Sequence, residues 1–239
     1  MSTSTVEELH ASIRSLEAEL PTAPPEMRSI LLTQIDSLKQ TIAMFQAAAP
    51  HMEAAKAHRP QVAPHLVEWF RPIPAVSVPA WIPDGIHRSQ VDASMMRAPP
   101  GARVYEDARG ISCAYPGEKG VSLAVVNGLA LSFDAEGRLQ WQTFYENGCA
   151  RWSIGYHSNG QRASVGFYAS TEPHEFIEHG LHTRYAFDGT VVAQAEYVNG
   201  RLHGWQKLWE EDGYPIVGTH YVDGREVESV RPDGSANKQ

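Results

Sequence analysis

Gly180-Leu181-His182-Thr183-Arg184-Tyr185-Ala186-Phe187-Asp188-Gly189 and Gly204-Trp205-Gln206-Lys207-Leu208-Trp209-Glu210-Glu211-Asp212-Gly213 are two copies of one pattern. In both, the glycines stand nine residues apart, an aromatic ring follows the first glycine by five, and the copies are offset by 24. Tyr197-Val198-Asn199-Gly200-Arg201 lies over Tyr221-Val222-Asp223-Gly224-Arg225 at the same offset. Upstream, Gly128 to Gly137 repeats the step with Phe133 at the aromatic place, and the copy ending at Gly160 keeps Tyr156 there but opens on Arg151. Tyr145, Tyr168, Tyr197 and Tyr221 each follow a closing glycine by eight residues. This makes four copies and a degenerate fifth at residues 101–110, with an insertion in 169–178. Internal periodicity decides architecture before any single residue does.

Asn-Gly or Asp-Gly recurs at Gly128, Gly148, Gly160, Gly189, Gly200, Gly213 and Gly224. Type I′ turns need positive φ at both central residues, which Asn, Asp and Gly tolerate best. Turns this frequent leave room for short strands and none for helices, and strands joined by tight turns run antiparallel. The sequence therefore predicts an antiparallel β-meander with roughly two strands per repeat. Side chains alternate across a strand. One face of the first strands collects Leu129, Leu131, Phe133; Trp152, Ile154, Tyr156; Leu181, Thr183, Tyr185; and Trp205, Lys207, Trp209. The opposite face of those strands is mostly polar, the pattern of a sheet wetted on one side. The four repeat tyrosines read as a structural ladder.

The run Tyr197-Val198-Asn199-Gly200-Arg201-Leu202-His203-Gly204-Trp205-Gln206-Lys207-Leu208-Trp209 resembles the MORN repeat, in the bacterial variant of YwqK-like antitoxins. Glu178-His179-Gly180 with Tyr185 matches in part. The resemblance covers residues 128–228; Arg151 in place of a glycine and the insertion depart from it. It implies a repeat sheet used for interaction and, as one option, an antitoxin or immunity protein that covers a toxin's active site.

The net charge is −8: residues 1–100 carry 8 Lys+Arg against 10 Asp+Glu, and the rest carry 12 against 18. Neither part offers the basic stripe that nucleic acid or an anionic membrane requires. The start shows no basic segment followed by an apolar core, and no apolar run approaches the ~20 residues that cross a bilayer. Cys113 and Cys149 stand in no metal or redox spacing and read as free thiols of a cytoplasmic protein.

Val6, Leu9, Ile13, Leu16 and Leu20 step by threes and fours, as do Leu31, Ile35, Leu38, Ile42 and Phe45. These are narrow helical seams separated by Pro21, Pro24 and Pro25, so residues 1–58 read as a coiled-coil-like hairpin. Pro50 ends or kinks the second helix, with Met52 to Ala57 adding a further turn. The seam residues serve the hairpin itself, homo-oligomeric assembly or docking onto another protein.

Prolines recur from residue 59 to 100, which rules out a long helix or central strand. Leu66, Val67, Trp69, Phe70, Val76, Val78, Trp81 and Ile82 are too apolar for a solvated tether. The segment reads as an extended strap over the aromatic face. Trp69, Phe70 and Trp81, together with Trp152, Tyr156, Tyr185, Trp205 and Trp209, are then either internal cover or partner-binding anchors. Residues 101–230 form the repeat domain and 231–239 a disordered tail.

No phosphate loop, nucleophile elbow or zinc-finger spacing is present. His174, His179 and His182 lie in or beside the insertion and are weak metal candidates; His203 sits at the repeat place of His179, so part of the cluster is repeat texture. The chain thus reads as α+β: a helical hairpin, a proline-rich strap and a MORN-like β-meander. Its expected role is a non-enzymatic, cofactor-free scaffold for a protein partner, with an antitoxin as the alternative and a metal protein or enzyme behind both.

Overall fold

The computed structural model describes residues 3–74, 78, 81–108, 110–115, 125–173 and 175–238. Val76 of the strap and His174 of the insertion lie outside them. Two compact units divide the chain between Gln61 and Val62.

The first unit is a hairpin of α1 (Thr3–Glu19) and α2 (Pro25–Ala57). Pro25 occupies the first turn of α2, where its missing N–H costs nothing. Ile13, Ile35 and Ile42 are buried between the helices, with Val6, Leu9, Leu16, Leu20 and Leu38 packed around them; Leu31 is buried as well. Arg28 ties the connection by donating from Nε to Ala23 O at 2.9 Å and from Nη2 to Pro21 O at 3.2 Å. Of the two outcomes expected at Pro50, an end to the helix does not occur: α2 is continuous for 33 residues and includes Met52 to Ala57. Alanines flank Pro50 on both sides and favour helix, and the carbonyl of Gln46 that loses its donor belongs to an exposed residue.

In the second unit twelve strands form one sheet in chain order, every neighbouring pair antiparallel. They are β1 (Arg103–Glu106), β2 (Gly110–Tyr115), β3 (Val125–Phe133), β4 (Leu139–Glu146), β5 (Cys149–Tyr156), β6 (Arg162–Phe167), β7 (Gly180–Tyr185), β8 (Val191–Val198), β9 (Arg201–Trp209), β10 (Pro215–Val222), β11 (Arg225–Val230) and β12 (Ala236–Lys238). The predicted meander and the α+β class are what the chain forms.

The turns are of two kinds. Asn147-Gly148, Asn199-Gly200 and Asp223-Gly224 have positive φ at both residues, as a type I′ turn requires. At Gly160, Gly189 and Gly213 only the glycine is left-handed. There the preceding side chain accepts from the backbone two residues on: Asn159 from Gln161 N at 3.0 Å, Asp188 from Thr190 N at 2.9 Å, Asp212 from Tyr214 N at 3.1 Å. Gly128 lies inside β3 and closes no turn. The same device corrects the reading of 231–239 as a disordered tail. Asp233 Oδ1 accepts from Ser235 N at 2.8 Å, the chain reverses, and β12 pairs with β11.

The described residues between 62 and 100 lie along one face of the sheet, with short 3₁₀ turns at Pro64–Leu66, Arg88–Gln90 and Ala93–Met96. Val78, Ile82, Ile86 and Met96 share a single core with Leu129, Leu131, Phe133, Trp152 and Ile154. Cys113 and Cys149 are free and buried, and burial pushes the Cys113 thiol up. Among the described residues no helix is long and apolar enough to cross a membrane.

Candidate functional site: the two faces of the sheet

Cross-strand pairing assigns every side chain of the meander to one of two faces. Leu129 pairs with Phe144, Leu131 with Gln142, and these with Trp152 and Ile154, so all six share the strap-covered face. Thr183, Gln194, Lys207 and Gly218 continue that face across β7 to β10. The residues five after each closing glycine therefore all lie on the strap-covered face: Gln142, Val165, Gln194 and Gly218.

Two of them receive the strap directly, each in its own way. Gln194 mimics a strand neighbour: its Oε1 accepts from Ile73 N at 2.8 Å and its Nε2 donates to Ile73 O at 2.7 Å. Gly218 leaves room for Trp69, whose ring would lie 2.2 Å from any added Cβ. Trp69 stands edge-on to Trp205, and Lys207 Nζ sits 4.3 Å from the Trp69 ring centre while donating to its carbonyl. Burial pushes the Lys207 ammonium down, with Glu196 partly offsetting. Trp209 Nε1 donates to Phe70 O at 2.9 Å.

Farther along, Trp81 packs edge-on to Phe144 and Trp152. Beside it, Asp84 Oδ1 accepts from the Tyr156 hydroxyl at 2.9 Å and Oδ2 from Arg162 Nε at 2.9 Å. The Tyr156 hydroxyl also lies 3.1 Å from Gln142 Oε1, yet it has one proton to give, and Gln142 Nε2 is buried without a partner. Half a turn of that amide sets its NH₂ against the phenol oxygen, so the hydroxyl donates to Asp84 and accepts from Gln142. Burial, and then Asp84, push the Tyr156 phenol far up.

The eight aromatic residues read from sequence as anchors pack in the strap–sheet contact or against the core beneath it. Phe70, Trp152, Tyr156 and Trp209 are buried there, and Trp69, Trp81, Tyr185 and Trp205 keep part of their surface open.

The second face departs from the expectation of a plain polar surface. Thr143, Ser153 and Gly166 occupy it, as do His182, Ala195 and Gln206. Beside that row runs another: Trp141, Gly155, Ser164, Arg184, Ala193 and Leu208. Two rings lie across glycines. Trp141 covers Gly155, where an added Cβ would come within 2.8 Å of the indole, and His182 covers Gly166 at the same 2.8 Å. Together they border an open trough of about 270 Å³.

The repeat tyrosines edge this same face, opposite the covered aromatics. They do not touch in a simple ladder. Phe176 of the insertion bridges Tyr145 and Tyr168, and His182 bridges Tyr168 and Tyr197. The Tyr168 hydroxyl lies 2.9 Å from Ser153 Oγ. Burial pushes the Tyr145, Tyr168 and Tyr197 phenols up. It pushes the His182 imidazole down, against the raising effects of the Phe167 carbonyl and Glu178.

Two of the three candidate histidines are described, and their settings differ. His179 is exposed, whereas His182 Nε2 lies 2.8 Å from Phe167 O and 3.2 Å from Phe167 N. Among the described residues no three His, Cys, Asp or Glu side chains are grouped so as to hold a metal ion. Trp141, Gly155, Ser164, Gly166 and Arg184 went unread as site residues, although pairing each strand across its turn would have placed them together.

No family model matches the chain, and no curated protein matches it. Solved structures similar to parts of it include the GtfA/B complex bound to UDP and GlcNAc, with a TM-score of 0.32 and 16% identity over 54% of this chain and 25% of that one. A Glycosylation Associate Protein complex from Streptococcus agalactiae gives a TM-score of 0.27 and 12% identity over 61% of this chain and 22% of that one. The chain spans about a quarter or less of those proteins, and agreement at this level says nothing about activity.

Proposed function

We propose that the protein is a non-enzymatic assembly and recognition module. Its hairpins pair between copies, and each copy displays the uncovered face of a MORN-like repeat sheet to a partner. The observation that carries this reading is the mismatch between the helices. At about 1.5 Å per residue, α1 with 17 residues reaches little more than half the length of α2 with 33. Met27, Ile30, Leu32 and Met44 of α2 are about half exposed or more. A two-helix hairpin buries too little surface to stand on its own seam, and a four-helix bundle from two copies supplies the missing partner. The 24-residue repeat with its glycine and aromatic spacing supports the MORN-like part of the reading.

Light scattering of the full chain tests assembly. The expected mass is a multiple of 26.4 kDa, reduced to one copy by Ile30→Glu with Met44→Glu. A single-copy mass for the unmodified chain at high micromolar concentration contradicts the reading.

A further inference from the structure

The uncovered face carries a site of definite chemistry. Trp141 is 48% exposed, its six-membered ring reaches over Gly155, and it lines the trough, so part of the indole is open to it. Arg184 stands in the same cross-strand row, three strands from Trp141 and two from Gly155. Two strand spacings are roughly 10 Å, and the indole over Gly155 and Arg184 both line the trough. Ser164 lies between them in that row; Ser153, hydrogen-bonded to the Tyr168 hydroxyl, lies in the row beside it. Arg184 is exposed and forms no ion pair among the described residues.

This combination selects among ligands. An open indole face attracts a ring whose axial C–H bonds are apolar and electropositive. Serine and tyrosine hydroxyls both donate and accept, which suits a ligand bearing several hydroxyls. One uncompensated arginine suits one carboxylate, held by paired N–H donors. A polyanion is disfavoured by a net charge of −8. An extended peptide finds no free edge here, because β4 to β9 are all interior strands.

We propose that the trough binds a sugar acid, with the C–H face of one pyranose ring on Trp141 and its carboxylate on Arg184. This rests on reading the uncovered face as the recognition surface and is independent of hairpin pairing.

The test is calorimetric titration of the full chain with methyl galacturonoside, which carries one carboxylate, and with its methyl ester, which keeps the ring and loses the charge. The acidic probe is expected to bind about 10-fold or more tightly than the ester. Arg184→Gln should bring it down to the ester's level. Trp141→Ala should abolish binding of both, while Trp141→Phe retains part of it. Thermal melts establish that each variant is folded. Ile30→Glu with Met44→Glu should bind the acidic probe unchanged whatever its oligomeric state, which separates this proposal from the assembly reading. No binding at millimolar probe overturns the proposal, as does equal binding of acid and ester. Affinity indifferent to Trp141→Ala overturns it too, as does equally tight binding of an oligoglutamate peptide.

Discussion

The two faces of one sheet are built by the same alternation and end in opposite states. On one, Trp81 of the strap packs against Phe144 and Trp152 of the sheet, and Trp69 and Phe70 close over Trp205 and Trp209. On the other, Trp141, Tyr168, His182 and Tyr197 border a trough open to solvent. Aromatic content does not separate them. What does is the residue five after each closing glycine, which offers the strap a carboxamide, a small aliphatic side chain or bare space. The residues four and six after the closing glycine point to the open side, as Trp141 and Thr143, Ser164 and Gly166, and Ala193 and Ala195 do. A repeat can thus assign one face to stability and the other to recognition without changing its period.

Substitutions that exchange the faces' roles show how far the contrast extends. Trp209→Ala on the covered face removes a buried ring and its bond to Phe70 O, and should cost about 3–5 kcal/mol in urea unfolding. Gln194→Leu keeps the volume but strands Ile73 N and O beneath the strap. It should cost about 2–3 kcal/mol, with the strap exchanging amide hydrogens faster.

On the open face the response is to pH. The folded His182 imidazole is held below its ordinary value of 6.5, chiefly by burial. In the unfolded chain it therefore takes up a proton first as pH falls. Its share of stability is complete above pH 6.5 and is lost as pH drops from there through the folded value. His182→Phe should flatten that part of the profile of urea midpoint against pH. Last and smallest, Trp141→Ala should cost under about 1 kcal/mol, since the ring is half in water. A loss as large as that of Trp209→Ala would erase the contrast.

The glycine spacing and the Asn-Gly and Asp-Gly pairs made the meander legible, and the strap's role followed from apolar residues that prolines kept from forming a helix. The alternation within first strands placed Leu129, Trp152 and Trp205 correctly. It failed for second strands because it was not carried across the turns. Once Gly128 pairs with Tyr145, Tyr145 and Trp141 must point away from Leu129, and the second aromatic face follows. Asp233-Gly234 repeats the turn signal that governs the earlier strands, and reading it would have given β12. The continuity of α2 through Pro50 was hidden for another reason: a proline's cost is local, whereas the alanines that offset it act over several turns.

Exchange of the indole hydrogens, followed by NMR and assigned with single Trp→Phe variants, tests the division of the sheet most directly. The Trp209 Nε1–H, held by Phe70 O at 2.9 Å, should exchange slowly, while that of Trp141 should exchange near the rate of free indole. Comparable rates at the two positions, or a protected Trp141 beside an exposed Trp209, would contradict the account.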